Sequence, residues 1–226
     1  MLGDLLPIAL LGGVCGLDTV SFPQAMLARP LVAATLAGML VGHPEHGVFA
    51  GAALELVALE TLPVGASRYP EWGSAAVIGG AIFAAQATPH LGSLTVAVLG
   101  SLFIAWLGGW SMVKLRQRNA AWAARHRGGL DAGARGTVIG LQLAGLTADL
   151  LRGVLLTAAG YLVLAPLEPA VVARWSMSEL SSRAVLVAVA AAVAFGAIWK
   201  MLHTTKATRW IFLVGLVAGL LSVAAA

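Results

Sequence analysis

From Trp72 to Val113 the chain contains no Asp, Glu, Lys or Arg. A membrane crossing needs about 20 apolar residues, so this uncharged stretch has room for two. A break between them is supplied by Thr88-Pro89-His90-Leu91-Gly92-Ser93. A soluble domain would interrupt such a run with charges on its water-facing side. Instead the 226 residues are 59% hydrophobic and 11% charged, with a mean hydropathy of +0.89, against roughly 25% charged residues in ordinary globular chains. That composition excludes a cytosolic enzyme of the usual kind. The single cysteine, Cys15, excludes an internal disulfide and a cysteine-based zinc site, and sits in an apolar run as a small core residue. The opening Met-Leu-Gly-Asp has no basic region and no small-residue cleavage site follows, so the first apolar segment is expected to stay in the mature protein.

Further apolar runs cover Leu5 to Phe22, Gly153 to Leu167, Ala184 to Trp199 and Trp210 to Ala226, which brings the candidate crossings to six. The stretch between Pro30 and Pro63 differs. Leu31 to Gly42 is too short to cross, and His46 to Leu62 is interrupted by Glu55 and Glu60. Two short pieces joined by His43-Pro44-Glu45-His46 predict a re-entrant helical hairpin over residues 31–62, with two tilted spans as the alternative. Backbone that stops at membrane depth must be buried by protein or line a wet cavity, which is why such hairpins mark transport sites. The expected fold is therefore all-α: one polytopic integral membrane domain over residues 1–226, with about six transmembrane helices plus the hairpin.

Lys114 to Arg135 carries Lys114, Arg116, Arg118, Arg125, Arg127 and Arg135 against one acid, Asp131. The positive-inside rule makes this a basic cytoplasmic loop, 114–135, and threading from it puts the N-terminus outside. Net charge +4 and pI 9.8 then reflect topology rather than nucleic acid, for which the basic residues lack an interleaved aromatic pattern. Glycine pairs at Gly12-Gly13, Gly79-Gly80, Gly108-Gly109 and Gly128-Gly129, and the spacings Gly38/Gly42 and Gly47/Gly51, predict close helix packing.

A carboxylate in an apolar segment costs roughly 2.5 to 3.5 kcal/mol on insertion scales, so each one asks for a reason. Asp149 lies three residues before Arg152, on the same helix face, and the two predict a structural ion pair at a helix entrance. Asp18, Glu55 and Glu60 have no basic residue at helical pairing distance. Glu55 and Glu60 are about 140° apart around a helix, so both reach one spot only if the helix unwinds, which Pro63 and Gly65 would favour. Asp18 opens a polar patch running through Thr19, Ser21 and Gln24. Such donors and acceptors suit a polyhydroxylated ligand, with Phe22 or Trp72 to stack on its apolar face; a capped, solvated helix end is the alternative. His43, Glu45 and His46 lack a fourth ligand and read as a polar hairpin tip, so no metal and no cofactor is expected.

The run Asp18 to Gln24, then Arg29-Pro30-Leu31 opening a hydrophobic arm, then Gly51-Ala52-Ala53-Leu54-Glu55-Leu56-Val57-Ala58-Leu59, then Val64-Gly65-Ala66, resembles one family. It is similar to the IIC membrane subunit of the mannose/fructose/sorbose type of bacterial sugar phosphotransferase system. Leu150-Leu151-Arg152-Gly153 extends the likeness, whereas Glu60 departs from the mannose members. The resemblance implies a multi-pass permease of the bacterial inner membrane that binds a hexose or amino sugar. Its implied partners are a IID membrane subunit and cytoplasmic IIA and IIB phosphocarriers, in hetero- and homo-oligomeric assembly. Sugar contact falls on Asp18, Gln24 and Glu55, with Glu60, Gly65 and Ala66 at the turn; no residue of this chain carries phosphate. The alternatives are a proton-coupled secondary transporter using the intramembrane acids, or a degenerate subunit that no longer transports.

Overall fold

The computed structural model describes residues 2–59, 61, 68–86, 88 and 90–202, with 210, 212–215, 217–219 and 221 beyond them. Glu60, Gly65 and Ala66 lie outside the described residues. Among those described, the chain forms eight helices and no strand: α1 (Leu2–Asp18), α2 (Pro30–Val41), α3 (Pro44–Ala58), α4 (Trp72–Ala84), α5 (Leu91–Arg125), α6 (Arg127–Asp131), α7 (Arg135–Val172) and α8 (Glu179–Leu202). By length and composition α5 and α7 suffice to cross a membrane, while α2 and α4 are apolar but shorter.

Proline and glycine punctuate the hairpin. Pro30 and Pro44 open α2 and α3, where a missing N–H costs nothing. Gly42 ends α2 at φ 91, a left-handed conformation, with its N–H turned back onto the carbonyls of Gly38 and Met39. Of the Gly38/Gly42 pair, then, only Gly38 packs, because a Cβ on Gly42 would meet nothing. The seam of the hairpin is backbone on backbone: a Cβ on Gly47 would stand 2.4 Å from the Ala34 carbonyl oxygen, and one on Gly51 would stand 2.9 Å from that of Pro30.

α4 is the axis of the fold. All 13 of its residues are buried, and it packs against α1, α2, α3, α5 and α7. Its N-cap is Glu71, whose carboxylate accepts from the Ser74 N–H at 3.0 Å. Around it gather Ile8, Cys15, Ala34, Leu54 and Tyr161 of the main core.

Two boundaries differ from the sequence expectation. The basic segment 114–135 is helical over most of its length: α5 runs to Arg125, α6 follows at once, and α7 begins at Arg135. Residues 114–125 hold only helix-tolerant types, with no Gly or Pro to stop the turn; the chain reverses only near Gly133, at φ 66. Asp149 and Arg152 lie inside the 38-residue α7, which begins 14 residues before Asp149, rather than at a helix entrance.

Candidate functional site

Helix α1 stops at Asp18 because that side chain turns onto the backbone ahead of it. The Asp18 carboxylate, 3% exposed, accepts the Ala25 N–H at 2.6 Å and the Ala28 N–H at 2.9 Å. These bonds bend residues 19–29 into a strap, in which Gln24 and Met26 adopt φ of 60 and 63. Non-glycine residues held there cost on the order of 1 to 3 kcal/mol each, which two charge-assisted bonds offset. The Phe22–Pro23 peptide in the strap is cis.

The far end of the strap is held by Glu55. From the last turn of α3 its carboxylate pairs with the Arg29 guanidinium and accepts the Leu31 N–H at 3.1 Å. That N–H belongs to the first turn of α2, where free donors and the positive end of the helix dipole favour an anion. Asp18 and Glu55 are thus the two clasps of one strap.

Beside the strap lies a cavity of about 360 Å³ whose wall includes Asp18, Gln24, Arg29, Thr61 and Trp72. Glu55 reaches it only through Arg29. The Gln24 side chain is tied back, its Nε2 donating to the Val20 carbonyl at 2.9 Å, which leaves its amide oxygen to accept. The indole N–H of Trp72 donates to the Thr61 hydroxyl at 3.0 Å, fixing the ring in the wall. Phe22 is 63% exposed and does not line this cavity.

A second polar cluster sits behind the strap. On α7, Arg152 Nε donates to Asp149 Oδ1 at 2.9 Å, and Nη1 donates to the Ser111 hydroxyl at 3.2 Å. Glu71, fully buried, places Oε2 3.9 Å from Arg152 Nη1. The Ser21 hydroxyl donates to Asp149 Oδ2, so the strap itself is pinned to this cluster. One guanidinium therefore faces two buried carboxylates. Sequence reading pairs Arg152 with Asp149 alone, because Glu71 stands at the edge of the uncharged run and looks like a boundary residue. Glu168 is also hidden in sequence at the end of an apolar run: it is 3% exposed and accepts from Gln86 Nε2 at 2.8 Å. A signal existed for Glu168, an acid beside an apolar segment with no cation at helical pairing distance, whereas Glu71 has Arg68 three residues before it.

At the hairpin tip the donor atoms of His43, Glu45 and His46 lie within 4.8 Å of one another. No fourth His, Cys, Asp or Glu among the described residues joins them. The tip also opens α3, whose dipole opposes a cation there.

The chain matches the family described as PTS system sorbose-specific IIC component over residues 3–224. Two relatives are the PTS system sorbose-specific EIIC components of Lacticaseibacillus casei and Klebsiella pneumoniae. They are 31% and 32% identical over 75 residues, 33% of this chain and 27% and 28% of theirs. A fructose permease IIC component of Bacillus subtilis (strain 168) is 32% identical over 75 residues. The aligned portion is thus less than a third of each relative's length. Among solved structures, a membrane protein superposes with a TM-score of 0.66, at 16% identity over 99% of this chain and 94% of that one. The mannose transporter ManYZ in complex with microcin E492 superposes with a TM-score of 0.62, at 16% identity over 97% and 86%. These superpositions establish a membrane-protein fold, and the family match over residues 3–224 establishes that the chain belongs to the sorbose-type IIC components of the bacterial phosphotransferase system.

Proposed function

We propose that the chain is the sugar-translocating IIC subunit of a mannose-type, phosphoenolpyruvate-dependent phosphotransferase system, and that it binds a hexose or amino sugar in the cavity beside the strap. The observation that carries this reading is the cavity itself, a largely apolar pocket with Asp18, Gln24, Arg29 and Thr61 in its wall, built on the Asp18 to Arg29 segment that carries the family resemblance. Its volume of about 360 Å³ falls in the range of small-ligand sites, roughly 300 to 1,000 Å³. The Gln24 amide oxygen, the Arg29 guanidinium and the Thr61 hydroxyl present acceptors and donors to sugar hydroxyls. Asp18 adds its remaining lone pairs, and Trp72 offers an apolar ring. Glu55 acts on sugar through Arg29, as a positioning residue. Glu60, Gly65 and Ala66 belong to the same site in this reading.

The hairpin α2–α3 is re-entrant and carries Arg29 and Glu55 at its base. Its arms turn back on each other at Gly42 and pack along the seam of Gly38, Gly47 and Gly51. Six crossings complete the fold, with the basic segment 114–135 on the cytoplasmic side of the inner membrane. A IID subunit shares the membrane part, and IIB delivers phosphate from IIA. As the sugar leaves the cytoplasmic mouth, a phosphate ester forms at one hydroxyl while the bond to the carrier breaks and the hydroxyl proton leaves to water.

The test is sugar-dependent phosphate transfer in membranes holding this chain, a IID subunit and the soluble phosphotransferase proteins. Wild type yields sugar phosphate; Gln24→Ala raises the sugar concentration needed for half-maximal rate, and Glu55→Gln lowers uptake with membrane insertion intact. Equal rates in all three overturn the site. Uptake driven by a proton gradient without the soluble proteins overturns the function.

A further inference from the structure

Between α5 and α7 runs an open groove of about 950 Å³, which Ser111 and Arg152 of the cluster behind the strap also line. Its deep end is walled by leucines, Leu107 on α5 and Leu151 and Leu155 on α7, the last two 53% and 68% exposed. Its other end carries Lys114 and Arg118, with Trp110 and Trp122 beside them. Lys114 Nζ stands 5.8 Å from the Trp110 ring centre, and the Arg118 guanidinium stands 5.0 Å from that of Trp122. No acidic residue lines the groove. Leu107 and Arg118 are 11 residues apart along α5, so the groove runs about 16 Å at 1.5 Å per residue. That is close to one leaflet of a hydrocarbon core of about 30 Å.

We propose that this groove binds one anionic glycerophospholipid, its phosphate held by Lys114 and Arg118 and an acyl chain laid along the leucines. The groove combines the three parts such a molecule needs: an apolar end walled by leucines, two cations one helical turn apart along α5, and indoles flanking those cations on either side. The long stems of Lys114 and Arg118 lie along apolar wall while their charged ends reach the headgroup. A transmembrane partner helix suits the groove less well. The two cations would need an acid from the partner, where a lipid brings its anion by default. The site is separate from the strap cavity, and its occupancy is read without sugar.

The full chain is purified in detergent, stripped of lipid and titrated with phosphatidylglycerol or phosphatidylcholine, and retained lipid is counted by native mass spectrometry. Wild type is expected to hold phosphatidylglycerol at least tenfold more tightly than phosphatidylcholine, and Lys114→Gln/Arg118→Gln to lose that preference. A second reading needs no charge variant. Phosphatidylglycerol with brominated acyl chains should quench tryptophan fluorescence more in wild type than in Trp110→Phe/Trp122→Phe. Equal retention of the two lipids overturns the proposal, as does unchanged retention by the Lys114/Arg118 variant or equal quenching in the two proteins. In a Cys15→Ser background, a cross-link from Leu155→Cys to a second copy or another subunit in native membranes assigns the groove to protein and overturns it as well.

Discussion

The strap and the cluster behind it use buried carboxylates in opposite ways. Asp18 and Glu55 spend their lone pairs on backbone N–H groups of residues 25, 28 and 31, so each fixes the path of a segment. Glu71 and Asp149 flank a single guanidinium, Arg152, between helices, while Glu71 also caps α4 at the Ser74 N–H and Asp149 also accepts from the Ser21 hydroxyl. The first arrangement is anchored on loop backbone beside a cavity; the second is set among helices, with Glu71 fully buried. Acids of similar sequence context therefore serve two purposes, one shaping a loop and the other tying helices together.

The sharpest way to break this comparison is to remove the shared cation. Arg152→Met strands two carboxylates and is expected to cost about 3 to 5 kcal/mol, measured by unfolding in mixed micelles. Glu71→Gln/Asp149→Asn/Arg152→Met should recover most of that loss; a triple variant as unstable as the single one would show that charge pairing is not what the cluster contributes. Next comes the hairpin that anchors the strap. Gly47→Ala drives a Cβ toward the Ala34 carbonyl and should cost about 1 to 3 kcal/mol, read as faster proteolysis of residues 30–58. Asp18→Asn keeps one acceptor and loses the charge, for an expected cost of about 1 to 2 kcal/mol. Hydrogen exchange should rise at Ala25 and Ala28 and stay unchanged around Arg152.

The smallest effect has the opposite sign. Gln24→Gly relieves a left-handed residue and should stabilise the protein by about 1 kcal/mol, the strain released less the added freedom of glycine in the unfolded chain, while phosphate transfer to sugar falls because the amide is lost. Met26→Gly should show the stabilisation without the same loss, since its side chain brings no amide to the cavity. If both variants transport alike, the strap is a structural clasp and the sugar lies elsewhere.

Local patterns were legible where one segment decides the outcome. Pro30, Pro44 and Gly42 set the hairpin ends, the three-residue spacing of Asp149 and Arg152 put them on one face, and Gly38, Gly47 and Gly51 marked a close seam. What the sequence hid was tertiary. Glu71 meets Arg152 from 81 positions away in the chain, and no period announces such a contact. Asp18 and Glu55 showed no local partner in the sequence because Asp18 is met by backbone amides, which carry no sequence signature, and Glu55 by Arg29, 26 positions away, together with the Leu31 N–H. The length of α5 was hidden for another reason: charge density suggested a loop, whereas helix propensity over residues 114–125 carried the turn onward.

A helix enclosed on all sides leaves an imprint on variation. Because every residue of α4 is buried and five other helices press on it, no stripe along it is free to change. A complete substitution scan should find α4 intolerant at each position, with no 3.6-residue rhythm. α5, which buries Ala97, Ser101 and Ile104 but leaves Leu99, Phe103 and Trp106 exposed, should show that rhythm clearly. Two helices that hydropathy cannot tell apart would then be told apart by which mutations a population keeps.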